Sequence, residues 1–368
     1  MDTIREQPPK APPIRGRGAQ SGAASARFGL HEREADGDWR DEAETIDGPA
    51  PKLRTEVTIE KPRSILSFNQ SPDIGFDRSV NAYRGCEHGC IYCFARPTHA
   101  YLDLSPGLDF ESKLFAKPDA AKLLAETLAK PGYRPRPIAM GTNTDPYQPI
   151  EARYRITRQM LEVCLDARHP VTITTKSDRV LADLAILEEM ARKRLIAVAI
   201  SVTSLDPHLS RLIEPRAPSP VKRLAALDKL TQAGVPTHCS IAPVIPAITD
   251  DAMEAIVAHA AQLGVTSAGW IPLRLPHEVA PLFREWLDTH FPDRKDKVMG
   301  IVRSIRNGKD NDSQFFSRLN PTGVWADMFR ARFRVACNRA GIGDGKAKFH
   351  LDCAQFRAPT TGGQMRLL

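Results

Sequence analysis

Apolar residues along this chain follow two rhythms in turn. Five short apolar runs have the length of strands: Ile138 to Gly141 (IAMG), Val171 to Thr175 (VTITT), Ile196 to Val202 (IAVAISV), His238 to Ile245, and Ser267 to Leu273. Helical spacing fills the intervals, first in TRQMLEVCLDAR and then in RVLADLAILEEMARKR, where Val180, Leu184, Leu187 and Met190 share one face. It returns in Pro220 to Ala233, in a segment that Thr249 opens as N-cap with Asp250 in the first turn, and in HEVAPLFREWLDTHF. A further strand ends in Asn81, Ala82 and Tyr83, giving six. Crossovers of helix length oblige parallel pairing and right-handed connections. The repeat covers roughly 215 residues, fewer than the ~250 of an eight-unit barrel. The expected fold class is therefore α/β, a partial (β/α)6 TIM-like barrel with a lateral mouth. A flat doubly wound sheet is the other candidate, but it lacks a Gly-rich dinucleotide fingerprint after the first strand.

The flanks differ from this body. Residues 1–54 form a Pro-, Gly- and charge-rich tail containing RGRG (Arg15 to Gly18) and read as disordered. Residues 55–293 comprise the barrel and a lead-in whose turns use Ser71, Pro72, Asp73 and Gly75. Residues 294–368 form a helical C-terminal extension. In it Val298, Ile301, Val302 and Ile305 make a stripe with Arg303 and Arg306 beside it. A second helix, Val324 to Arg339, presents Trp325, Met328, Phe329 and Phe333 on one face, with Arg330, Arg332, Arg334 and Arg339 around the other. This helix is expected to cover the barrel mouth.

The formal charge of +7 belongs to that extension, which has 15 basic and 6 acidic residues against 27 and 26 in residues 61–293. Such an appendage suits either a nucleic-acid partner or a solvated surface, and charge alone leaves both open. No apolar run has the length of a signal peptide or a membrane span. Cys164, Cys239, Cys337 and Cys353 are scattered, so a reducing, cytoplasmic setting without disulfides is expected.

The densest chemistry lies in NAYRGCEHGCIYCFARPTH, Asn81 to His99, where Cys86, Cys90 and Cys93 stand at C-x3-C-x2-C spacing. Structural zinc would need a fourth ligand, His88 or His99, and no second C-x2-C pair follows. Three thiolates on an iron–sulfur cube instead leave one iron open for chemistry.

With Tyr92 before the last cysteine, the loop resembles the signature C-x3-C-x-aromatic-C of the radical S-adenosylmethionine (SAM) superfamily. NAYRGC and ARPTH resemble a subgroup related to spore photoproduct lyase, the DNA repair photolyase-like proteins. The resemblance implies a 4Fe-4S cluster on Cys86, Cys90 and Cys93, and SAM on the open iron. One-electron cleavage of SAM would leave a 5'-deoxyadenosyl radical that removes hydrogen from substrate. A reductase or flavodoxin/ferredoxin-type electron donor is implied too.

Chemistry in parallel barrels gathers at the carboxyl ends of strands. The resemblance assigns cofactor contacts there: Tyr92; Thr142, Asn143 or Asp145 in GTNTDPYQP for the SAM amine; Lys176 and Ser177; Ser201 and Thr203 for ribose or carboxylate; and the backbone near Val244 and Leu273 beside adenine. Arg274 and His277 would grip a substrate phosphate or satisfy element ends. Arg216 would face the cavity or pair with Glu214. Spore photoproduct lyase returns hydrogen from a cysteine at the second strand end. Met140 to Asp145 contains none, so Tyr147 or Cys239 becomes the catalytic candidate, Cys239 being equally suited to the core. Three functions follow: radical chemistry on a nucleic acid, lyase- or repair-like; the same chemistry on a peptide or metabolite; or a zinc-stapled binding module.

Overall fold

A computed structural model describes residues 17–22, 25, 27, 53–344 and 349–360; the rest of the tail lies outside the described residues. The described residues form ten strands: β1 (Glu56–Ile59), β2 (Leu66–Phe68), β3 (Arg78–Val80), β4 (Tyr83–Arg84), β5 (Lys113–Ala116), β6 (Ile138–Met140), β7 (Val171–Thr175), β8 (Ile196–Ser201), β9 (Thr237–Val244) and β10 (Ala268–Pro272). The helices before β8 are α1 (Leu108–Ser112), α2 (Ala120–Leu128), α3 (Glu151–Tyr154), α4 (Ile156–Asp166) and α5 (Leu184–Arg192). Those after it are α6 (Pro207–Ile213), α7 (Pro220–Gln232), α8 (Met253–Gln262), α9 (Val279–His290), α10 (Lys295–Ser304) and α11 (Val324–Ala340).

The main sheet runs β10-β9-β8-β7-β6-β3-β2, with every pairing parallel except β2 on β3. Its outer strands β10 and β2 do not pair with each other, so the chain is a partial barrel of six parallel strands, open at the side. A second sheet, β1-β5-β4, flanks the entry to the cysteine loop.

Strand alternation sorts side chains by face. Val171, Ile173, Ile196, Val198, Ile200, Cys239 and Ile241 join Leu161, Leu187, Leu230 and Val257 of the surrounding helices in one core. The opposite face carries small or polar groups in register: Ser79, Ala139, Thr172 and Ala197 in one row, Ser201, Ser240 and Gly269 in another. That face leaves room inside the barrel. A second core places Ile91 and Tyr92 of the cysteine loop with Leu273, Leu275, Phe283, Trp286, Val298 and Val302. There Trp286 is fully buried, stacks on Phe283 at 5.5 Å and donates its indole N–H to the Leu212 carbonyl at 3.2 Å.

Four expectations are corrected. Thr249 does not cap a helix: α8 starts four residues later, and the Thr249 hydroxyl accepts from the Ile245 N–H at 2.9 Å, closing a turn. α11 does not cover the mouth. It lies along α8 and Trp270, with Trp325 donating to Asp250 at 3.3 Å and Arg332 paired with Glu254 at 2.8 Å. Its C-terminal continuation bridges the start of β10 through Gly343 and Ser267. Arg306 is not a surface partner of the α10 stripe but is 2% exposed. Arg17 to Ala19, inside the supposed tail, are packed against the protein body.

Two buried imidazoles set an acid limit. Burial pushes His169 and His238 down to about 4, and the neutral rings bond Tyr133 at 2.8 Å and Ser267 at 3.0 Å. Unfolded histidine titrates near 6.5, so between those values the unfolded chain binds more protons. Stability is expected to be flat above about pH 6.5 and to fall as pH drops towards about 4. Urea midpoints measured across that window test this: H169N/H238N flattens the slope, and an unchanged slope rejects the assignment.

Candidate metal centre at the carboxyl edge of the sheet

Just beyond β3, the chain turns through β4 into the cysteine loop. Gly85 and Gly89 take positive φ, +74° and +66°. A Cβ on Gly85 would stand 2.6 Å from Leu114 and 2.9 Å from the Phe110 carbonyl, so the turn needs glycine there. The turns close through Gly89 N–H to Cys86 O at 3.3 Å and Cys93 N–H to Cys90 O at 3.2 Å. Cys86 and Cys90 are buried, and Cys93 is partly so.

The loop following β6 grips this turn from below. Thr144 and Gln148 both donate to Gly85 O, at 2.6 and 3.1 Å, and Gln148 accepts from Glu87 N–H at 2.9 Å. Asp145 receives Thr175 Oγ1 at 2.6 Å and the Lys176 N–H at 2.8 Å, with His88 Nδ1 at 3.4 Å. Burial raises the Asp145 carboxyl, but His88, Thr175 and the Lys176 N–H outweigh it and hold it at about 2. Asp145 is thus a staple between β7 and the cysteine loop, its oxygens already engaged. Asn81 links Thr142 and the Asn143 N–H, each at 3.1 Å, leaving those two partly exposed residues at the strand edge.

On the other side, α6 and α7 supply a buried ionic wall. Glu214 accepts from Tyr92 and from Thr203 on one oxygen and from Arg223 on the other. Burial raises the Glu214 carboxyl, yet Arg223, Lys176 and Tyr92 bring it below its ordinary value. Arg223 also donates to the Ser201 carbonyl at 3.2 Å. Lys176 Nζ lies 5.8 Å from the Tyr92 ring centre, which puts the end of β7 beside the last cysteine. Ser177 caps the turn after β7 by accepting from Arg179 N–H at 3.2 Å. Val244 and Leu273 are fully buried, Leu273 N–H bonds Val244 O at 3.0 Å and Leu273 O accepts from Arg306 at 2.6 Å, so neither the side chains nor these backbone groups are free to contact adenine as expected.

A third support was not legible in the sequence. Arg96 is fully buried, donates to the Gly89 and Cys90 carbonyls at 3.1 and 2.9 Å, and pairs with Glu111 at 2.5 Å. Glu111 in turn accepts the consecutive N–H groups of Arg17, Gly18 and Ala19 at 2.5, 3.0 and 2.8 Å. A Cβ on Gly18 would fall 1.8 Å from Gly89 O. The N-terminal segment is a strap laid on the back of the cysteine loop. Glu87 completes this side, receiving Thr55 at 2.5 Å and Arg216 at 2.8 Å. Arg216 therefore neither faces the cavity nor pairs with Glu214.

The two catalytic candidates are misplaced for hydrogen donation. Tyr147 is 1% exposed and donates to Asp183 at 3.0 Å. Cys239 is fully buried in the outer core, where burial pushes its thiol up to about 12. His99 and His88 are equally poor zinc ligands. His99 Nε2 is 2.9 Å from Lys113 O, its ring packs edge-on against Phe110, and His88 faces Asp145. Among the described residues no three His, Cys, Asp or Glu converge as the ligands of a single ion would. Burial raises all three loop thiols, Cys90 to about 12. Thiolates in such a place need positive charge on the bound group, which an iron–sulfur cluster on three cysteines provides.

A family model described as the radical SAM superfamily matches residues 80–260. An uncharacterized protein of Mycobacterium tuberculosis is 37% identical over 252 residues, 67% of this chain and 74% of its own length. This chain belongs to the radical SAM superfamily. An uncharacterized protein of Methanocaldococcus jannaschii is 28% identical over 198 residues, 54% of this chain and 72% of that one. Among solved structures, a mutant of spore photoproduct lyase superposes with a TM-score of 0.57 at 14% identity, covering 79% of this chain and 82% of its own. That likeness is one of fold: a radical SAM barrel.

Glu111 offers a direct check on the strap. E111Q removes the carboxylate that balances buried Arg96, a loss of about 3–5 kcal/mol for such a pair. Lower thermal stability and lower iron retention after anaerobic gel filtration are expected, with G18A acting in the same direction. Wild-type values for both variants reject the strap's role.

Proposed function

We propose that this radical SAM chain is a working enzyme in which Cys86, Cys90 and Cys93 hold a 4Fe-4S cluster with one iron free of protein ligands. The cluster and SAM, when bound, supply one-electron cleavage of a carbon–sulfur bond and removal of a hydrogen atom from substrate. The observation that carries this reading is the meeting of three loop cysteines, two buried and one partly so, with Lys176 and Tyr92 at the carboxyl edge of an open parallel barrel.

The chain's own residues divide the remaining work. Thr142 and Asn143, exposed in part and held by Asn81, present oxygens suited to an ammonium group. Lys176 presents a cation suited to a carboxylate. Ser177 and Ser201 lie at the adjoining strand ends, whereas the Leu273 N–H and the Val244 and Leu273 carbonyls are already engaged within the fold. The ionic wall of Glu214 and Arg223 fixes Tyr92 by its hydroxyl, and the small groups on the concave face leave space for substrate. With Tyr147 and Cys239 buried elsewhere, no protein hydrogen donor is assigned, and the lyase-like outcome of the reaction stays open to assay. A flavodoxin- or ferredoxin-type protein is the electron source this chemistry calls for. Unpaired cysteines throughout the described residues suit the cytoplasm, and no described helix is long and apolar enough to cross a membrane.

Anaerobic purification is expected to give a brown protein with about four irons and acid-labile sulfide. Dithionite should then release methionine and 5'-deoxyadenosine from SAM, and C90A should abolish both iron binding and turnover. K176A should raise the KM for SAM about tenfold or more while sparing iron content, as expected for loss of a charged contact. One zinc per chain without labile sulfide rejects the proposal.

A further inference from the structure

α11 is the longest of the described helices, and it carries apolar residues on two opposite sides. Ala326, Phe329, Phe333, Ala336 and Cys337 are buried against the body of the protein. At about 100° per residue, Val324, Met328, Ala331 and Val335 fall within about 60° of one another on the side facing away from that core. All four are exposed, Val324 by 88% and Met328 and Val335 by 47% each. Met328 thus leaves the face it was expected to share with Phe329 and Phe333.

A surface helix turns its outer side to water, and single apolar residues scattered there need no explanation. Four in line do. Their spacing of four, three and four residues is that of a coiled-coil seam, which is buried only when a second helix lies along it.

The charges beside the seam favour one kind of second helix. Asp327 borders the first half of the stripe, and Arg334 borders the second half along the same edge. Asp327 pairs with Arg330 of its own helix at 2.5 Å, yet its side chain stays 69% exposed, and Arg334 is exposed as well. An edge that runs from acid to base is complementary to itself when reversed. Turned end for end about a two-fold axis, another α11 sets Val324 against Val335 and Met328 against Ala331, and brings each Asp327 to the other copy's Arg334. Small Ala331 lets the axes approach, and the antiparallel dipoles offset each other. A parallel copy would instead set Arg334 beside Arg339, and an acidic helix of another protein would meet Asp327 with like charge.

We propose that α11 is a dimerisation helix: two copies of this chain pair antiparallel along Val324, Met328, Ala331 and Val335, with reciprocal contacts between Asp327 and Arg334. The seam runs about 17 Å at ~1.5 Å per residue, which places it at the small end of specific interfaces, so association in the micromolar range is expected. α11 lies along α8 and Trp270 and not over the mouth, so pairing involves none of the residues assigned to the metal centre.

Sedimentation equilibrium of the full-length, iron-loaded protein under reducing conditions tests this over about 1–100 µM. The average mass of wild type is expected to rise from one chain towards two as concentration increases. V335E and M328E each bury a charge in the seam and should weaken association about tenfold or more. D327R and R334D each set like charges together in both reciprocal contacts and should weaken it about threefold to tenfold. D327R/R334D restores opposite pairs and should recover most of the loss. Circular dichroism and iron content report folding; should one glutamate variant not fold, the other decides. The proposal is overturned if wild type remains a single chain at about 100 µM, if either folded glutamate variant associates as wild type does, or if D327R/R334D associates no better than its parents.

Discussion

Three thiols gathered in one buried turn are the tension around which this molecule is arranged. Burial favours their neutral form, and the short loop that holds them has no regular secondary structure to set its shape. Its shape is imposed from outside: by Thr144 and Gln148 on Gly85, by Arg96 on Gly89 and Cys90, and by Arg216 on the His88 carbonyl. Each contact is made to loop backbone and none to a thiol. The charges enlisted for this are themselves neutralised in pairs, Arg96 by Glu111 and Arg216 by Glu87, so that the frame adds little net field of its own.

The division of the sheet into two faces explains how one sequence provides both rigidity and space. Branched apolar residues at alternate positions of β7 and β8 meet the helices, and the residues between them, Thr172, Ala197 and Ala199, are too small to fill the interior. α9 and α10 close a separate core beneath the cysteine loop, anchored by Trp286. The loop is thereby seated against two packed layers, with Ile91 and Tyr92 in the second core.

Much of this was legible in the chain. Strand positions followed from short apolar runs, and the superfamily followed from the cysteine spacing with Tyr92, because both signals are local. Cys239 shares its face with Ile241, one residue out of phase with Ser240, and strict alternation already places it among the helices. The Thr249 cap misled because an N-cap residue and a turn residue are chemically alike, and only the position of Ile245 separates them. Glu111 was invisible because the backbone it holds, Arg17 to Ala19, lies more than ninety residues earlier, in a segment whose composition argues against any order. The same holds for Glu214 and Arg223: they are ordinary surface residues until the fold surrounds them.

The strap of Arg17 to Ala19 has a consequence for assembly. On a ribosome these residues emerge first, the cysteines next and Glu111 last, so the back of the loop stays uncovered until its anchor has been synthesised. Once Gly18 settles against Gly89, that approach is shut. Any group that the loop takes up after folding must then approach from a side other than the strap's, and order of synthesis becomes part of how the loop is closed.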